Sequence, residues 1–134
     1  MASWRRRALE SFPQFRRELN DPKFSIYMLY FELVPLVREA HKDADEHELL
    51  KIYGFAKWCF EQKNGELMNA TGVAFYEHLF DNWSLRHDVA KWITPEILRN
   101  CWGLWELRLE PEKLVELREV FAERDRIRAH KRPH

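Results

Sequence analysis

Apolar residues in this chain recur at steps of three and four, and no stretch alternates apolar with polar over the length of a strand. That spacing is the signature of helices with one buried face. It is clearest between Asp45 and Phe80. Leu49, Ile52, Tyr53, Ala56, Cys59 and Phe60 fall on one helical face, while Lys51, Lys57, Glu61 and Lys63 lie off it. Asp45-Glu46-His47-Glu48 has the form of a capping box, in which the Asp45 carboxylate accepts from the backbone and Glu48 reaches back. Lys63-Asn64-Gly65 ends this helix. The next is apolar on most sides, with Met68, Gly72, Phe75 and Leu79 on one face and Leu67, Ala70, Val73 and Ala74 on others, which marks a central helix. Gly72 costs about 1 kcal/mol of helix propensity relative to Ala, and a close neighbouring helix is the usual compensation.

The flanking segments follow the same rule. Ser3 to Leu19 reads as one helix, or as two broken near Ser11-Phe12-Pro13. Asn20-Asp21-Pro22 is a stop and a new start, with Asp21 as cap. In Lys23 to His41, Ile26, Leu29, Tyr30, Leu33, Leu36, Val37 and Ala40 share a face, and Pro35 predicts a kink or two abutting helices. Ser84 caps a short helix through Lys91. Thr94-Pro95-Glu96 starts another, whose stripe is Ile97, Leu98, Cys101, Trp102, Leu104, Trp105 and Leu109. Glu110-Pro111 opens the last, with Leu114, Leu117 and Phe121 inward, and beyond Arg124 the pattern fades into a frayed tail. The expectation is an all-α fold of six to seven helices in antiparallel pairs, as a compact bundle or a short HEAT-like α-solenoid.

Length suits one domain, residues 1–134, with its core over about 12–121, a basic segment 1–11 and a basic tail 122–134. Aromatic residues make up 14% of the chain, ample bulk for a core without disulfide or metal. The two cysteines, Cys59 and Cys101, sit on apolar stripes and read as buried free thiols, a usage that fits a reducing cytoplasm. No secretory pattern opens the chain, and the longest apolar run, Ile26 to Phe31, is far short of a membrane span. The formal charge is zero, but residues 1–20 hold five arginines against two glutamates. Residues 122–134 hold five basic residues against two acids, so the body between is acidic.

Chemistry is harder to find. His41 and His47 straddle a polar loop containing Asp43 and Asp45, without the ligand spacing of a metal site. His78 near Asp81 and His87 beside Asp88 read as local pairs at helix ends. Cys59 or Cys101 could meet His78 only by helix packing, and a core thiol resists ionisation. There is no GxSxG and no phosphate-cradling glycine loop. The residues assign no catalytic group, no cofactor and no metal. Trp58, beside its stripe, and Trp83, in a polar loop, are the tryptophans expected to be partly exposed, and one ringed by acids is a common interface anchor.

The segments from Asp45 to Ala56 and from Gly72 to Leu79 resemble a bacterial family of small all-helical domains of unknown function. The resemblance covers roughly Phe15 to Leu109. It implies a helical fold and a bacterial source, and the family is similar in size and acidity to toxin-immunity proteins.

The function expected is a non-enzymatic, cytoplasmic protein-binding module, an immunity-type inhibitor or adaptor, acting through an acidic helical surface. Glu46, Glu48, Asp81, Trp83, Asp88 and Glu96 are the candidates for that surface, and a basic protein is the partner it suits. Two readings stand beside it. An accessory nucleic-acid binder would use the arginine-rich ends, and an enzyme would hold His78 or His87 in a deep pocket. An apolar face on the proline-containing helix would support a homodimer; otherwise the protein is a monomer.

Overall fold

A computed structural model describes residues 3–131 of the chain. Among the described residues there are eight α-helices and no strand. The helices are α1 (Ser3–Ser11), α2 (Arg16–Leu19), α3 (Ile26–Lys42) and α4 (Glu46–Glu61), then α5 (Gly65–Ala74), α6 (Arg86–Ala90), α7 (Pro95–Arg108) and α8 (Pro111–Lys131). The count is eight rather than six to seven because Phe12-Pro13 divides the first segment into α1 and α2 around a short 3-10 turn. The chain forms two compact units, one ending at His78 and the other beginning at Leu79.

In the first unit the apolar stripes of α3 and α4 are buried as their spacing requires, and both pack against α5. Rings fill the centre. Phe12 meets Phe55 edge-on at 5.6 Å, Tyr30 lies 5.4 Å from Phe75, and Phe75 meets Tyr53 at 5.8 Å. Such pairs add about 0.5–1.5 kcal/mol each beyond the area they bury. Two polar pairs are sealed among these rings. The Tyr30 and Thr71 hydroxyls are 2.9 Å apart, and Thr71 Oγ1 also donates to the Leu67 carbonyl at 2.8 Å. His41 Nε2 lies 2.7 Å from the Tyr53 hydroxyl. His41 is thus a buried residue of α3, because it follows Val37 and Ala40 on the inward face.

The helix ends show which local rules operate. Asp45 accepts from the Glu48 amide at 3.1 Å, as a capping box requires. Glu48 does not reach back; it pairs with Lys51 at 3.3 Å, and the Asp45 amide donates to Ala40 instead. That last bond, with Ala44 N–H donating to the His41 carbonyl, closes α3 as a Schellman turn, and it holds Ala44 at φ 51°. Lys63, at φ 56°, is the left-handed residue after α4, while Gly65 begins α5 under the Asn64 cap. Asp21 accepts from the Lys23 amide in a local turn, and the cap of α3 is Ser25, four residues later than the sequence suggested. α3 runs as one helix through Pro35, which faces solvent, so the two-helix alternative does not hold. α5 stops at Ala74, and a 3-10 turn at Tyr76–His78 replaces the helix expected to reach Phe80.

The second unit is built on three rings. Trp105 lies 4.9 Å from Phe80, edge-on, and stacks on Phe121 at 6.0 Å, with Val89, Ile93, Ile97 and Leu117 also buried. Thr94 caps α7 by accepting from the Ile97 amide at 3.2 Å, as expected. Ser84 caps nothing; its hydroxyl donates to Asn82, and α6 starts without a side-chain cap. The tail expected to fray beyond Arg124 is helical to Lys131.

Candidate functional surfaces

The acids proposed from sequence fall on both units. Glu46 and Glu48 stand in the first turn of α4, and Glu96 in the first turn of α7, where a negative charge complements the helix dipole. Asp81, exposed, is forked by Arg108, which donates to its two oxygens at 3.2 and 2.7 Å. Asp88 pairs with Lys91 at 3.4 Å. Trp83 is half-buried as expected, but cations flank it rather than acids: Arg86 lies 5.0 Å and Lys113 5.3 Å from its ring centre. Arg86 also pairs with Glu116 at 2.8 Å. Three of the five acids are therefore matched by a basic neighbour, which lowers the field they present to a distant partner.

Trp58, also half-buried, carries Arg7 at 5.2 Å. Some of the arginines at the two ends have internal duties, while Arg6, Arg16, Arg17 and Arg126 are exposed. Arg5 reaches from α1 to the carbonyls of Leu19, Asp21, Pro22 and Phe24. Arg124 is buried, donates to the carbonyls of Ala90 and Ile93, and binds the Asp125 carboxylate at 2.9 and 3.1 Å. Arg128 donates to the Lys91 carbonyl. Guanidinium groups held this way add donors at the carbonyl ends of α2 and α6, where Ala90 O also accepts from the Ile93 amide at 3.3 Å. Arg132 lies outside the described residues.

The nucleophile and metal candidates are equally settled into the fold. Burial pushes the Cys59 thiol up to about 11, against the opposing pull of Tyr30, Arg7 and Thr71, and burial alone pushes Cys101 up to about 12. Both are free thiols, and neither is a thiolate nucleophile near neutral pH. His78 lies beside Glu77 at 3.7 Å. His87 is exposed on a shallow groove with Lys91 and Arg128. Among the described residues no group of three His, Cys, Asp or Glu side chains is placed to hold a metal ion, and no helix is long and apolar enough to cross a membrane.

Three large exposed apolar residues lie together on α3. Phe31 is 81% exposed, Met28 51% and Tyr27 42%, and with Pro35 they share the face opposite the buried stripe. Exposed Glu32 and Glu39 border it. Tyr27, Met28 and Phe31 were absent from the acidic set chosen from sequence. What marks them in the sequence is that Ile26 to Phe31 is apolar without interruption, so one helix cannot bury all of it on one side.

A family model described as a domain of unknown function, DUF7674, matches residues 5–107. No curated protein and no solved structure matches the chain.

Proposed function

The chain belongs to that family, DUF7674, and since the family description carries no activity, we propose from the surface itself that this is a non-enzymatic protein-binding module. The observation that carries the reading is the exposed apolar face of α3, centred on Phe31. Ordinary surfaces scatter single apolar residues, whereas aligned aromatic and methionine side chains favour a partner that takes them out of water. Glu32, bordering the face, and Glu39, which Lys42 pairs at 3.5 Å, give this face an acidic edge suited to a basic rim, and the centre of the contact moves from Glu46, Glu48, Asp81, Trp83, Asp88 and Glu96 to α3. An immunity-type inhibitor, masking a basic protein in a bacterial cytoplasm, is the concrete form we favour. The nucleic-acid alternative loses force because Arg5, Arg124 and Arg128 are engaged with backbone carbonyls.

The experiment places a photo-crosslinking residue at position 31 in the full chain, identifies the captured protein and titrates it in purified form. Phe31→Glu should weaken binding by about tenfold or more, as loss of an anchor does. Undiminished binding by that variant, or capture of nucleic acid alone, would overturn the reading. Sedimentation of the wild-type chain alone shows whether the captured partner is a second copy.

A further inference from the structure

α7 and α8 border an open groove of about 370 Å³, within the range that small ligands occupy. Its floor is apolar, made by Leu98 and Trp102 of α7 with Phe121 and Ala122 of α8. Arg99 and Arg118 stand on its walls. The Arg118 guanidinium lies 4.2 Å from the centre of the Trp102 ring, stacked on the indole. Neither arginine makes a hydrogen bond or ion pair among the described residues, unlike Arg5, Arg86, Arg108, Arg124 and Arg128. The acid on the rim, Asp125, is held by Arg124. In addition, Trp102 Nε1 is a buried donor with no acceptor among the described residues.

These features fit together chemically. A guanidinium is a planar fork for a carboxylate, and one already fixed by stacking loses little side-chain freedom on binding. Two unpaired cations beside aromatic and aliphatic walls favour an anion whose charge is confined to one end. A phosphate ester brings more oxygens than an apolar floor can match, and an uncharged apolar molecule leaves both arginines unanswered. We propose that this groove is a binding site for a small carboxylic acid with an apolar body, its carboxylate held by Arg99 and Arg118 and its body resting on Trp102 and Phe121. The site is independent of the α3 face, and its α8 wall lies beyond the residues that the family model matches.

The test is an NMR titration of the full chain, following the Trp102 indole N–H, with sodium 3-phenylpropionate, its primary amide and a five-residue peptide ending in leucine. The carboxylate should shift that resonance saturably, at about millimolar affinity or better, and the amide should bind at least about tenfold more weakly. Arg118→Gln, at an exposed position, should abolish the shift while the rest of the spectrum stays folded, and Arg99→Gln should weaken it. Equal binding of acid and amide, an unchanged titration in Arg118→Gln, or no saturation would overturn the proposal. A peptide that binds more than about tenfold more tightly than the free acid would also overturn it, in favour of a partner's chain terminus.

Discussion

The two units meet the same problem, polar groups without water, with different means at their centres, although each also turns an arginine onto carbonyls. The first pairs buried side chains with each other: Tyr30 with Thr71 and His41 with Tyr53, all within a shell of rings. The second buries one long cation, Arg124, and aims it at the Ala90 and Ile93 carbonyls at and just beyond the end of a five-residue helix. A short helix in either unit draws an added donor from elsewhere in the chain, Arg5 at α2 and Arg124 at α6, and arginine is the side chain with enough N–H groups and reach.

Four measurements break or sharpen this contrast. The largest effect belongs to Trp105→Ala, which removes the ring on which Phe80 and Phe121 pack. It should cost about 3–5 kcal/mol in urea unfolding. Native-state hydrogen exchange then asks whether protection over residues 3–78 outlasts that of the second unit; equal loss everywhere would end the division into two. Next is Arg124→Ala, expected to cost about 2–4 kcal/mol, since it removes the donor on the Ile93 carbonyl and leaves Ala90 O with only the 3.3 Å bond from the Ile93 amide. A loss below about 1 kcal/mol would mean that water serves them equally well.

The third concerns alkaline pH. Folded Cys59 and Cys101 titrate at about 11 and about 12, above a free thiol. The denatured chain therefore ionises first, so the stability these thiols contribute is complete below about pH 8.5 and is lost as pH rises through the folded values. Each thiol steepens the decline by at most about 1.4 kcal/mol per pH unit in that window. Cys101→Ala should flatten the alkaline limb over a wider range than Cys59→Ala; identical curves would remove the distinction between them. The smallest effect is a gain. Ala44→Gly relieves a left-handed alanine at the end of α3 and should stabilise by up to about 1 kcal/mol, less whatever freedom glycine adds to the denatured chain, by thermal unfolding.

Much of the architecture was legible because it is local. Asp45 and Thr94 announce their helices by residue type and position, and the stripes of α3 and α4 state which side is buried. Errors came where a local rule competed with another. Asp21 formed its own small turn and left the cap of α3 to Ser25, and Glu48 found Lys51 closer than the backbone it was expected to reach. The candidate surfaces were less legible. Charge along the chain shows that acids are present, but not that Arg108 closes on Asp81 from 27 residues away. Nor does a run of arginines reveal that Arg5 and Arg124 turn inward, since their partners are carbonyls that every residue possesses.

Those inward-turned arginines make the choice of denaturant consequential. Guanidinium chloride supplies in molar excess the very ion by which Arg5, Arg124 and Arg128 latch onto main-chain oxygens. Urea carries no such charge and competes with them less directly. The free energies extrapolated from the two reagents should disagree for this molecule, and the gap should close once the latches are cut.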